Sequence, residues 1–341
     1  MRKKSIGIGD IAKQLNVSIT TVSFILNGKA KEKRISADLT EKVLKYVKKV
    51  NYSPNHLAKS LRTGKTNLIG LIVEDISNPF FANVARLIEE NAYKKGFRII
   101  YCSSDNDTDK TRELIKVFRE RQVDAYIITP SAGIEKDVQE LLQEDSTVVL
   151  FDRYFSELPT NYVVVDNAGS TLNAINHFID QGFKNIAFIT LESDQTQMHE
   201  RLNGYKKAIK KSGLKSYIKK VPFHPTSNNY IEHITSFLQK EKAIDAVFFA
   251  TNYLGISGLE AIKNLDKKIP TDIGVISFDD HELFRLYSPS ITAVAQPIEE
   301  MSEQLINILL NNVDDQEEVF EEKRITLPAS LIIRNSSLLK D

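Results

Sequence analysis

The chain has a single cysteine in 341 residues, so no internal disulfide can form. That residue, Cys102, lies in the apolar run "FRIIYCSS" and reads as a core thiol rather than a nucleophile. Long hydrophobic runs are also missing. The longest, such as "AVFFA" and "YVVVD", fall far short of the roughly 20 residues that cross a bilayer. The opening "MRKKSIGIGDIAKQ" is basic but has no apolar h-region, so a signal peptide is not expected and the chain reads as cytoplasmic, with no membrane partner. Enzyme motifs are absent as well. There is no Walker loop and no zinc-spaced Cys/His set, and the six histidines are scattered with no nucleophile elbow beside them. The "GIGD" at Gly7–Gly9 precedes a helical pattern instead of following a strand, so it is not a dinucleotide loop. No catalytic residue, metal site or cofactor is expected.

Net charge is lacking too, with 45 lysines and arginines against 45 acidic residues, but the balance hides an asymmetry. Residues 1–66 hold 15 basic against 4 acidic residues, a balance of +11; residues 67–341 carry −11. A small basic head on a large acidic body is the pattern of a chain in which only the head touches a polyanion. Length and a 42% hydrophobic, 26% charged composition indicate a globular protein of two or three domains.

The head begins with "IAKQLNVSITTVSFILNG". Ile11 and Leu15 lie four apart on one short helix, and Val22 and Ile25 three apart on the next. Between them Asn16 can take the left-handed conformation, and Ser18 is an N-cap for the second helix. Ala12 is small enough for a close crossing. This is a helix-turn-helix pattern, whose second helix enters the major groove. It offers Ile19 and Phe24 for apolar contact with thymine methyls or sugar edges, and Thr20, Thr21, Ser23 and Asn27 for phosphates or base edges. A third helix follows, with an apolar stripe expected at Leu39, Val43, Leu44, Val47 and Val50. Lys33 and Arg34, with Lys29 and Lys31, precede it as phosphate partners. The DNA-binding domain is expected over 1–53.

A hinge and linker are expected over 54–66. In "NYSPNHLAKSLRTGKTN", Pro54 opens and Gly64 closes a helix of roughly eight residues, too short to be stable alone. Leu57 and Leu61 share a face. Two such segments could pair in the minor groove and wedge a leucine between base steps.

From Asn67 the pattern is regular. "LIGLIV", "FRIIYCSS", "DAYIITP" and "TVVLFDR" alternate with helical stretches, and a second series runs through "NYVVVDN", "KNIAFIT", "IDAVFFAT" and "GVISFDD". This predicts two parallel-sheet α/β subdomains, the first about 67–164 plus 296–324, the second about 165–295 plus 325–341. Ligands of open parallel sheets bind beyond the carboxyl ends of the strands. Asp75, Asp152, Asn252 and Asp279 sit at such ends, and Arg201 begins a helix after one. With Phe80, Phe81 and Phe223 they suit a sugar, which has polar edges and apolar faces.

The start "DIAKQLNVSITTVSFILNG", the hinge "NYSPNHLAKSLRTGKT" and the following "LIGLIVEDISNPFFANV" together resemble the LacI/GalR family of bacterial transcription regulators, and the resemblance spans essentially the whole chain. It implies a helix-turn-helix head on a two-lobed, periplasmic-binding-protein-like body, and a homodimeric regulator, more often a repressor, whose affinity for a pseudo-palindromic operator is controlled by a small molecule. By the resemblance Leu61 matches the intercalating hinge leucine, and Asn55, Ala58 and Lys59 match minor-groove positions. Asp152, Arg201, Asn252 and Asp279 match effector-contacting positions. Gln195 and Gln197 stand where purine-binding relatives carry a basic residue and a hydroxyl, which favours a neutral sugar. The chain departs from the family at Phe24, since "TVSF" replaces the common "TVSR", and "KAKEKRIS" is longer than the usual connection. Two other classes stay open: a solute-binding protein with no DNA role, opposed by the basic head, and a sugar-modifying enzyme with a DNA-binding head.

Overall fold

A computed structural model describes residues 6–52, 65–223, 229–314 and 322–339. The chain divides into two compact units, 1–66 and 67–341. The hinge positions Asn55, Ala58, Lys59 and Leu61 lie outside the described residues.

Among the described residues the head holds three helices: α1 (Ile8–Leu15), α2 (Ile19–Leu26) and α3 (Ala37–Lys49). Asn16 ends α1 at φ 53°, ψ 48°, the left-handed conformation that an asparagine tolerates. Ser18 caps α2 by accepting the Thr21 N–H at 3.0 Å, and Ser36 caps α3 through Leu39. Ile11, Ala12, Val22, Ile25 and Val43 are buried together and form the core. Two expected core positions are misplaced: Leu44 is 46% exposed and Val50, the C-cap of α3, is half-buried outside the core, while Tyr46 packs inward instead. Leu39, Val43, Tyr46 and Val47 follow the i, i+4, i+7, i+8 spacing of one helix face. Leu44 stands about 100° round from Val43 at 3.6 residues per turn.

The body is built on two six-stranded sheets. Its first part runs β1 (Leu68–Val73), α4 (Pro79–Lys94), β2 (Arg98–Ser103), α5 (Thr108–Glu120), β3 (Ala125–Ile128), α6 (Glu135–Gln143), β4 (Thr147–Phe151) and β5 (Asn161–Val165). The chain then crosses into α7 (Asn167–Asp180), β6 (Ile186–Glu192), α8 (Thr196–Ser212), β7 (Tyr217–Pro222), α9 (Asn229–Lys240), β8 (Ala246–Phe249), α10 (Asn252–Asn264), β9 (Gly274–Phe278), α11 (Glu282–Leu286) and β10 (Thr292–Ala295). It returns through α12 (Ile298–Asp314) to β11 (Arg324–Leu327) and ends in the second sheet at β12 (Ser330–Ile332). The sheet orders are β11-β5-β4-β3-β1-β2 and β12-β10-β9-β8-β6-β7. Among the described residues every strand pairing is parallel except that of β12 with β10.

Two strands fall differently from the sequence expectation. "NYVVVDN", read there as opening the second series although the first subdomain's bound at 164 took in most of it, forms β5 and pairs with β4 in the first sheet. The segment from 325, assigned to the second lobe, stays with the first as far as Leu327, where β11 pairs with β5. For β5 a buried apolar run shows that a strand exists but not which sheet it joins, because strands buried on both faces all look alike; β11, "RITL", is a largely exposed strand and carries little apolar signal of its own.

Near-complete burial explains most of these runs, but the edge strand β2 is exposed or half-buried throughout, and Cys102 on it is half-buried rather than the core thiol expected. Leu71, Ile72, Val73, Val149, Leu150 and Phe151 are fully covered, as are Val247, Phe248, Val275 and Ile276. Gly204 matters for position. A Cβ there would meet the backbone oxygen of Ala168 at 2.3 Å, so only glycine lets α8 lie this close to α7. Arg201 sits one turn before Gly204 on the same helix.

Candidate functional site

On α2 the exposed and the core-facing residues separate cleanly. At about 100° per residue, Ile19, Ser23, Asn27, Thr20 and Phe24 span an arc of about 140°, with Val22 and Ile25 on the opposite side. Ile19 is 55% exposed and Thr20 is exposed, while Ser23 and Phe24 are half-buried. Not all of their polar groups are uncommitted. The Thr21 hydroxyl lies 2.8 Å from that of Ser18, within the helix cap. Asn27 folds back, donating to the Ser23 carbonyl at 2.7 Å. Lys33 and Arg34 are exposed, and Lys33 Nζ lies 5.5 Å from the Phe24 ring centroid.

In the body the strand ends converge on a cleft between the two lobes. Asp152 follows β4 and Asp279 follows β9, both left-handed at φ 68° and 66°, and both are buried. The cleft is lined by both of these together with Phe80, Phe81 and Arg201 from the expected set. Asn252, at the start of α10, donates across the lobes to Asn78 Oδ1 at 3.0 Å. Two expected members go elsewhere. Asp75 accepts from the Ser77 amide and hydroxyl at 2.8 Å, closing a local turn. Phe223 packs against the core of the second sheet. The "DIS" triplet at Asp75–Ser77 carries the signature of a side chain bonding its own backbone two residues on.

Several cleft residues were missed: Glu74, Asn78 and Tyr253 line it as well. Glu74 is buried and accepts from Arg153 Nη2 at 2.6 Å. Arg153 also donates to Asn106 Oδ1 at 2.9 Å and lies 3.5 Å from Asp152. Asn106 in turn accepts from Gln195 Nε2 of the other lobe at 3.1 Å, and Gln197 Nε2 reaches Asp152 at 3.3 Å.

Arg201 is held by neutral acceptors, the Asn167 side-chain oxygen at 2.8 Å and the Ala250 carbonyl at 2.7 Å. Its guanidinium stacks 3.5 Å over the Phe278 ring. Burial pushes the Asp152 carboxyl up to about 6, with Arg153 and then Arg201 pulling the other way. Burial likewise raises Asp279, opposed first by Arg201 and then by the hydrogen bond from Gln296 at 2.5 Å. The Tyr253 hydroxyl is raised well above its ordinary value by burial. The arrangement offers carboxylate acceptors, one guanidinium and two phenylalanine faces, a donor and acceptor set for a polyhydroxylated ring.

Comparison with known proteins agrees with both units. Residues 7–55 match the family described as bacterial regulatory proteins, lacI family, and residues 175–337 match the periplasmic binding protein-like domain. An HTH-type transcriptional repressor PurR of Haemophilus influenzae is 30% identical over 335 residues, covering 96% of this chain and 98% of that protein. The ribose operon repressor of Halalkalibacterium halodurans is 28% identical over 97% of this chain and 96% of its own length. Among solved structures, a lac repressor dimer bound to operator and an anti-inducer shares the fold with a TM-score of 0.87, at 19% identity over 98% of this chain and 100% of that one. A regulator from Enterococcus faecium with bound ribose matches at a TM-score of 0.71 and 28% identity, over 80% of this chain and 100% of its own. Among the described residues no helix is long and apolar enough to cross a membrane.

Proposed function

The chain belongs to the LacI family of bacterial regulatory proteins, and on that premise we propose that its cleft takes an uncharged sugar whose binding changes the grip of the head on operator DNA. The protein is a DNA-binding transcription regulator and represses as its relatives do. It acts as a homodimer in the cytoplasm, because a two-fold protein reads a two-fold operator.

The observation that carries the sugar reading is the state of Arg201. It is buried at 2% exposure, its hydrogen bonds go to neutral acceptors and its guanidinium lies on an aromatic face, beside two buried carboxylates. Arg153 is already matched by Glu74. Because Arg153 also lies 3.5 Å from Asp152, two guanidiniums stand against three carboxylates, Glu74, Asp152 and Asp279, and that balance opposes an anionic ligand while accepting hydroxyls from several sides. Phe80 and Phe81 give the apolar face of the ring a surface. The bound ribose of the Enterococcus faecium structure makes pentoses the first compounds to try. The site works by binding and not by turnover.

We place the relay in residues 55–62. A segment of that length is marginal as an isolated helix, so a coupling of about 1–3 kcal/mol is enough to switch operator occupancy severalfold or more.

A thermal-shift panel of neutral mono- and disaccharides, phosphorylated sugars and purines tests the ligand class. A neutral sugar should raise the melting temperature by mass action, with no turnover of the sugar on incubation. A shift with a phosphorylated sugar or a purine, and with no neutral compound, would contradict the reading.

A further inference from the structure

The head brings a positive charge to a reading helix that has none. Helix α2, "ITTVSFIL", contains no basic residue. Phe24 lies on its exposed arc, half-buried, yet it is not among the side chains packed on the head core. The group facing its ring, 5.5 Å from the centroid, is Lys33 Nζ. Lys33 comes from the long connection after α2, and that connection is built rather than slack. The Lys29 N–H donates to the Phe24 carbonyl at 2.9 Å, the Lys33 N–H to the Lys29 carbonyl at 3.0 Å, and the Ile35 N–H to the Ala30 carbonyl at 2.8 Å. Ala30 and Ile35 pack on the head core, and Arg34 turns the chain at φ 53°. Glu32 holds the same ammonium at 2.9 Å, but both side chains are exposed, and such a pair is weak enough for another acceptor to displace.

We propose that Phe24 and Lys33 form one composite reading element: the ring seats against a thymine methyl, and the ammonium above it reaches the acceptor edge of an adjacent guanine. This rests on the assignment of the head as the DNA-reading unit. In the major groove thymine presents a methyl group and guanine presents N7 and O6, which are the partners these two groups suit. An aromatic face attracts a cation within about 6 Å. Phe24 is thus a positioning residue for Lys33, directing a flexible stem that would otherwise sample many orientations. A lysine on phosphate alone would add affinity without sequence preference.

Half-site selection from randomised duplexes tests this, using the full-length chain, Lys33→Ala, Phe24→Ala, the double variant and Phe24→Tyr. Affinities are then measured across a salt series for the selected duplex and for one with the guanine replaced. The wild type should prefer guanine beside thymine by about tenfold or more. Each alanine variant should lose that preference, the double variant should lose no more than either single one, and Phe24→Tyr should keep it. If Lys33→Ala weakens every duplex equally and lowers the salt slope by about one, Lys33 is a plain phosphate contact and the proposal is overturned. Retention of the guanine preference by either alanine variant, or additive losses in the double variant, would also overturn it. A wild-type chain that selects no sequence at all would instead remove the DNA-reading assignment, and this pairing with it.

Discussion

Arg153 and Arg201 are the same residue type, both buried at 2% exposure and both beside the same cleft, one in each lobe. Their partners separate them. Arg153 is matched by the Glu74 carboxylate and by Asn106, and its charge is cancelled within the first lobe. Arg201 is oriented by an amide oxygen, a backbone carbonyl and an aromatic face, and its charge is opposed in the cleft by Asp152 and Asp279. Burial alone therefore does not mark a ligand-binding arginine. A buried ion pair that is complete in itself serves position, whereas a guanidinium whose hydrogen bonds go to neutral groups, with carboxylates only facing it, sits where a ligand entering the cleft can meet both.

The largest effect expected from that contrast is on stability. Arg153→Ala strands Glu74 inside the protein, and removing one partner of a buried pair costs about 3–5 kcal/mol. Denaturant unfolding should show a loss of that size, and a loss under about 1 kcal/mol would mean that Glu74 finds water. The next effect separates position from chemistry. Gly204→Ala forces α8 away from Ala168, for about 1–3 kcal/mol of stability. Because Arg201 rides on that helix, sugar affinity should fall in the same variant. Unchanged affinity in calorimetry would show that the α7–α8 contact does not aim the guanidinium.

The effect that shows only across a pH series is carried by Asp152. The Asp152 carboxyl titrates near 6 when folded, against about 3.9 unfolded, so the native state binds more protons between those values. Its contribution to stability is complete below the unfolded value and is lost as pH rises through about 6. Asp152→Asn should flatten that part of a melting-temperature profile, whereas an unaltered slope would assign it to other groups.

Much of this was legible in the sequence, for identifiable reasons. Asn16, Ser18 and the Val22/Ile25 spacing define the helix-turn-helix locally, because caps and periodicity act within a few residues. Asp152 and Asp279 were legible as polar ends of buried strands. Glu74 was not, because it stands next to Asp75 and only the fold shows which of two adjacent carboxylates turns inward. The sheet membership of β5 and the crossing after Leu327 depend on long-range pairing, which a local apolar run does not carry. The Phe24–Lys33 contact spans a connection whose path had no local signature.

The most direct test of the account is operator binding, followed by fluorescence anisotropy on a selected duplex, for the wild type and Arg201→Ala with and without the sugar that shifts melting. The account predicts that the sugar changes wild-type operator affinity severalfold or more, and that Arg201→Ala binds the operator normally but ignores the sugar. An Arg201→Ala chain that responds to the sugar as the wild type does would contradict it.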